Sequence, residues 1–185
     1  IKGKNIKTQE VTAVMVDTEV LQAILKDEVI KMVRLLQKNQ LTLGLAESCT
    51  GGLLSSYLTE LAGVSSVFMG SIICYDNKIK QKFLKVSEET LKNFGAVSFE
   101  TAKQMAEEAL NALEVSVAIS ITGIAGPGGG SSTKPVGTVF IAAAGLKSDT
   151  NVFEHHFNGV RKEVQLQTCV EAIKHLTEFI EKNKT

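Results

Sequence analysis

The sequence predicts an α/β domain, a three-layer αβα sandwich whose sheet mixes parallel and antiparallel strands. Three observations carry that prediction. Apolar strand-like segments alternate with segments of helical period, the pattern of an α/β unit. Two of the strand-like segments run directly into glycine-rich turns, as strands of an open α/β sheet do at the carboxyl edge where ligands gather. The last strands are joined by connections too short for helical crossovers, so they pair antiparallel.

Val11-Thr-Ala-Val-Met-Val16 reads as a short edge strand, and Thr18 as the cap of a long amphipathic helix. Val20, Leu21, Ile24, Leu25, Val29, Ile30, Val33 and Leu36 fall at helical spacing along it, and it ends at Lys38-Asn39. Residues 41–46 make a strand, 51–61 a helix, and 67–75 a second strand interrupted by Gly70. A polar helix starts near Asn77. Ser87 and Ser98 each precede an acidic first turn and are expected to cap helices, the second with Ala102, Met105, Ala106, Ala109 and Leu113 on one face. Residues 115–121, 137–144 and 151–157 are strand-like, and 161–180 form a closing helix with Val164, Ala172, Ile173, Leu176 and Ile180 inward.

Composition excludes several classes. A chain of 185 residues, 44% hydrophobic and 22% charged, buries one sizeable core, so one domain is expected. Lys plus Arg and Asp plus Glu balance at 20 each, so no overall field draws the protein to nucleic acid or to a membrane, and neither is an expected partner. Cys49, Cys74 and Cys169 are odd in number and widely spaced, which suits neither a disulfide framework nor a zinc site. Reduced thiols fit a cytoplasmic location. No apolar run reaches membrane-spanning length, and no apolar stretch follows the basic opening to make a signal peptide.

The chemistry gathers at two junctions. In Gly44-Leu-Ala-Glu-Ser-Cys-Thr-Gly-Gly52 a strand gives way to a helix across two hydroxyls, a thiol and two glycines. In Ile119-Ser-Ile-Thr122 a buried strand enters Gly123-Ile-Ala-Gly-Pro-Gly-Gly-Gly130, with Lys134-Pro-Val-Gly137 beyond. Neither loop matches the dinucleotide or P-loop fingerprint. Ser48 becomes a nucleophile only if a neighbour takes its proton. His155 and His156 are adjacent in a strand and point to opposite faces, and His175 lies in mid-helix, so a Ser-His-Asp triad has no support. Lys78 and Lys80, in Tyr75-Asp-Asn-Lys-Ile-Lys80, follow a strand end. A lysine there acts as a base if burial and nearby positive charge depress its pKa, with Tyr75 to relay or orient the proton.

Ordinary roles compete with these. Ser48 by itself would cap the helix that follows, Lys80 would be a solvated charge, and the second loop would be a flexible turn. Cys49 would be a small buried side chain, or a rival nucleophile with a pKa lowered by the helix N-terminus. The three histidines would serve packing or surface, since their spacing suits no known ligand set.

Five motifs change that balance. Leu45-Ala-Glu-Ser-Cys-Thr-Gly-Gly52, Tyr75-Asp-Asn-Lys-Ile-Lys80, Gly95-Ala-Val-Ser98, Ser120-Ile-Thr-Gly-Ile-Ala-Gly-Pro-Gly-Gly129 and Lys134-Pro-Val-Gly-Thr138 occur in the order and spacing of the CinA C-terminal domain family. The chain resembles these bacterial nicotinamide-nucleotide amidohydrolases from about Glu28 onward. Residues 1–27 thus read as an N-terminal extension and 28–185 as the amidohydrolase domain. The resemblance implies hydrolysis of the carboxamide of nicotinamide mononucleotide to nicotinate mononucleotide and ammonia, in pyridine-nucleotide salvage, without metal or organic cofactor. It also implies a homo-oligomer. The family's nucleophile falls on Ser48, its lysine base on Lys80 and its active-site tyrosine on Tyr75. The oxyanion is assigned to the turn of Thr50, Gly51 and Gly52. Glu47, Asn77, Thr122, Gly123, Gly126, Gly128, Gly129, Lys134 and Arg161 complete the expected substrate-binding set.

Two departures stand out. The family's Gly-Asp-Arg and further arginine are here Gly159-Val160-Arg161 and Val164-Gln165. Larger members carry a molybdopterin-binding-like domain, for which residues 1–27 are too short. A nucleotide-binding or regulatory module of the same fold, and an amidase for another phosphorylated amide, are the alternative readings.

Overall fold

A computed structural model describes residues 17–183. Five strands form one sheet in the order β2-β1-β3-β4-β5. They are β1 (Leu43–Glu47), β2 (Phe68–Ile73), β3 (Val117–Gly123), β4 (Thr138–Gly145) and β5 (Ser148–His156). β1 pairs parallel with β2 on one side and with β3 on the other, whereas β3–β4 and β4–β5 are antiparallel. The expected mixed sheet is present, and it is covered on both faces. The Val11–Val16 strand lies outside the described residues.

Side-chain alternation sorts the two layers. Leu43, Leu45, Val117, Ile119, Ile121, Val139 and Ile141 face a core shared with α1 (Thr18–Asn39), α2 (Leu53–Thr59) and α6 (Arg161–Lys182). The opposite face carries smaller side chains, Ala46, Ala118, Ala142 and Ala144, against Ala102, Ala106 and Ala109 of α5 (Phe99–Ala112). Such small residues bring helix and sheet close: a Cβ at Gly44 would stand 2.7 Å from Leu113 Cδ1, and Ser120 Oγ donates to Ala102 O at 2.6 Å. α3 (Asn77–Leu84) and α4 (Glu88–Asn93) lie in the connection between β2 and α5.

Several boundaries differ for identifiable reasons. Asp17, not Thr18, caps α1 by accepting from Glu19 N–H. Only one stripe of α1 meets the core, so Val20 and Ile24 remain exposed. α2 starts at Leu53 because Gly51 and Gly52 take left-handed conformations (φ +61° and +96°) that no helix continues. β3 runs on to Gly123 because its ladder with β4 persists to Val139. Ser87 and Ser98 cap α4 and α5 as expected, accepting from Thr90 N–H and Thr101 N–H. The inward set expected of α6 is buried.

This topology creates one privileged edge. α2 connects β1 to β2 across one face, and α5 leads into β3 across the other, so the carboxyl end of β1 opens between connections that diverge. Ligands of open α/β sheets bind in such a crevice.

Candidate active site

Ser48 is the first residue beyond β1. Its N–H still donates to Ile121 O of β3 at 3.0 Å, and its carbonyl accepts from Gly51 N–H at 3.0 Å, so the backbone turns sharply while tied to the sheet. The turn is anchored by Glu47. That buried carboxylate accepts from the N–H groups of Gly52, Leu54 and Ser55 and from the Ser55 hydroxyl. A carboxylate satisfies the orphan donors and the positive dipole end of a helix. Glu47 therefore positions the turn and does not line the cleft. Ser48, in consequence, is not the cap of α2: Gly52 occupies that position.

Lys80 comes to Ser48 from the first turn of α3, which is capped by Asp76 accepting from Lys78 N–H. Only 1% of Lys80 is exposed, against the solvated charge that composition alone would suggest. Its Nζ donates to Ser48 Oγ at 3.0 Å, Cys74 O at 2.7 Å and Tyr75 O at 3.3 Å. Burial lowers its pKa below the ordinary 10.5, partly opposed by the neighbouring Cys74, Cys49, Asp76 and Tyr75. In the neutral amine two N–H groups satisfy the two carbonyls, which leaves the lone pair for the Ser48 hydroxyl.

Tyr75 has a different place from a proton relay. Its backbone carbonyl meets Lys80, while its side chain is 62% exposed and its hydroxyl accepts from Arg161 Nη2 at 3.1 Å. Arg161 Nη1 donates to Gly126 O at 2.9 Å, so this guanidinium bridges the β2 end and the second loop. Gln165, one turn along α6, donates to Cys49 O at 2.8 Å.

These residues surround a cleft of about 240 Å³. Ser48, Tyr75, Asn77, Lys80, Thr122, Gly123, Gly126, Gly128, Gly129 and Arg161 line it, so the two junctions share one cleft. Thr50, Gly51, Gly52 and Lys134 do not. Gly51 N–H and Gly52 N–H are committed to Ser48 O and Glu47, so the oxyanion donors assigned to them are already engaged. Thr50 Oγ1 is buried without a partner. Lys134 Nζ donates to Phe94 O, fastening the second loop to the residues before α5. The Thr122 hydroxyl likewise donates to Ala96 O rather than toward the cleft.

None of the three histidines lines the cleft, which removes a histidine base. Cys49 lines it, but burial pushes its thiol up to about 12, opposite to the lowering a helix N-terminus would give. Sequence reasoning missed Ala96 and Val97 as lining residues, although Gly95-Ala-Val-Ser98 is one of the five motifs. Gln165, marked in the sequence only as a departure from the family's arginine, proves to hold Cys49 O at the turn.

The fold and the serine-lysine cleft define a CinA-type α/β domain. The CinA C-terminal domain model matches residues 26–180, and the chain belongs to that family. It is 51% identical over 124 residues to a CinA-like protein of Leptospira borgpetersenii serovar Hardjo-bovis, covering 67% of this chain and 30% of that protein. A CinA-like protein of Thermotoga neapolitana is 40% identical over 149 residues, 80% of this chain and 36% of that one. The chain thus spans about a third of the length of the curated relatives it matches. Among solved structures, the competence/damage inducible protein CihA from Agrobacterium tumefaciens superposes with a TM-score of 0.82 at 38% identity, covering 84% of this chain and 94% of that one. A CinA superfamily protein from Escherichia coli superposes at 0.77 with 29% identity, over 96% and 99%. No described helix is long and apolar enough to cross a membrane.

Proposed function

We propose that this domain hydrolyses the carboxamide of nicotinamide mononucleotide to nicotinate mononucleotide and ammonia, with Ser48 as nucleophile and Lys80 as base. The single observation behind this reading is the buried Lys80 Nζ at 3.0 Å from Ser48 Oγ. Neutral Lys80 takes the hydroxyl proton as Oγ attacks the carboxamide carbon. The lysine ammonium then protonates the departing amine, and ammonia leaves an ester on Ser48. Water, deprotonated by the same amine, attacks that ester and frees the carboxylate and the serine. Cys49 N–H and Thr50 N–H, directly after the nucleophile, are the turn donors left to meet the oxyanion, because those of Gly51 and Gly52 are taken.

Recognition follows from the lining. The exposed Tyr75 ring offers its face to the cationic pyridinium. Arg161 retains donors beyond its two intramolecular bonds for a phosphate. Ammonia release by the purified protein, compared across nicotinamide, its riboside, the mononucleotide and the dinucleotide, tests the proposal. Release from the mononucleotide alone supports it, and binding without release from any of the four overturns it.

A further inference from the structure

Away from the cleft, the topology brings together three side chains that the sequence separates. His155, near the end of β5, and His175, on α6, meet with their Nε2 atoms 2.8 Å apart. Glu171 lies one helical turn before His175 on the same face. One ligand-capable atom from each of the three residues falls within 4.8 Å of the others. The rings are held in place: His175 stacks on Phe153 at 3.6 Å between centroids, and His155 on Phe157 at 5.0 Å. None of the five residues lines the cleft.

We propose that His155, Glu171 and His175 form a binding site for a zinc-class first-row divalent cation, clamping the edge strand β5 to α6. Two imidazoles and one carboxylate are a known donor set for such ions, with a fourth position left to water. In the ion-free pair one Nε2–H donates to the other Nε2. Binding moves that proton to Nδ1 of the same ring, so both Nε2 lone pairs face the ion and no proton is lost. Two nitrogens on one tetrahedral zinc stand about 3.3 Å apart, so the rings separate by only about half an ångström. Glu171 already accepts from Lys174 through Oε1, which leaves Oε2 for the ion. One feature weakens the site. His175 Nδ1 is buried without a partner, and the missing outer-shell acceptor lowers affinity by about 10- to 100-fold.

The test is titration of the chelator-stripped protein with zinc chloride, read by competition with a chromogenic chelator and by thermal melting. The expected result is one zinc per chain, a higher melting temperature with zinc, and affinity at least about ten-fold weaker in His155→Gln and Glu171→Gln. Glu171→Gln alters a partly exposed side chain and guards against a variant that does not fold. Imidazole nitrogen resonances of the wild type, which need no variant, should move at Nε2 of both rings. Unsaturable binding, wild-type affinity in both variants, or unmoved Nε2 resonances would overturn the proposal and leave a hydrogen-bonded histidine pair. Amide hydrolysis uses none of these residues, so the two proposals fail independently.

Discussion

Lys80 Nζ and Ser48 Oγ lie 3.0 Å apart, although 32 residues separate them in the chain. The contact joins the ends of two adjacent parallel strands, and the helix that bears the lysine starts directly after the second of them. It brings a buried amine to a hydroxyl with no other side-chain partner.

Ser48→Ala is expected to lower amide turnover by about 10³-fold or more, as when one member of a coupled nucleophile and base is removed. Stability should change little, because Ser48 caps no helix. Steady-state rates and a denaturation curve check both parts, with Cys49→Ala as the variant that keeps most of its activity.

Lys80→Arg and Lys80→Met should each cost about 10²- to 10⁴-fold in rate, since neither offers a proton acceptor. The wild-type rate should rise with pH through a lysine pKa below 10.5. Stability carries the same sign. Between the lowered folded pKa and the unfolded value the unfolded chain holds more protons, so wild-type stability rises with pH in that window. Lys80→Met should lose that slope, which denaturant midpoints measured across the alkaline range would reveal.

Glu47→Gln should destabilise the fold by about 1–3 kcal/mol and lower activity with it, because an amide cannot satisfy all four donors now shared by the carboxylate. Urea unfolding measures the first effect. Equal stability in the variant would count against the anchoring role.

Gly137→Ala should be among the most damaging single substitutions outside the cleft. The residue sits at φ +93°, and an added Cβ would collide with the carbonyl oxygen of Phe157. The backbone conformation alone costs a non-glycine residue about 1–3 kcal/mol. Thermal melting of the variant checks it.

Arg161→Ala should raise KM for a phosphorylated amide more than it lowers kcat, and Arg161→Lys should not restore it. A lysine cannot hold Gly126 O and the Tyr75 hydroxyl at once while presenting further donors. Kinetics with the mononucleotide and with the unphosphorylated riboside separate binding from chemistry.

Much of this was legible in the sequence where the cause is local. Ser87 and Ser98 announce their helices through cap chemistry, and the start of α3 at Asn77 follows from the polar turn before it. The two glycine-rich junctions locate the cleft because strand ends are where an α/β sheet opens. What was not legible depends on which way a side chain faces. Glu47 resembles a ligand-binding carboxylate in one dimension and proves to be a helix anchor. Lys134 and Thr122 sit at the right junction, one in the loop and one at the end of β3, but donate to Phe94 O and Ala96 O. The meeting of His155 with His175 arises from a strand crossing a helix, which no linear spacing encodes.

The pleat of β1 has an electrostatic result. Leu45 and Glu47 face the α2 side, and Ala46 and Ser48 face the side of α3 and Lys80. Two consecutive residues, one a carboxylate and one the proposed nucleophile, are thus directed to opposite sides by the alternation of the strand alone. The pleat keeps their partners apart: the carboxylate is met by helix amides on one side, and the amine on the other has no acidic side chain as a hydrogen-bond partner to hold its proton. A one-residue slip in the register of β1 would turn the carboxylate toward the lysine and favour the charged, unreactive form. The pairing of β1 with both neighbours therefore governs the charge environment of the amine as well as the shape of the cleft.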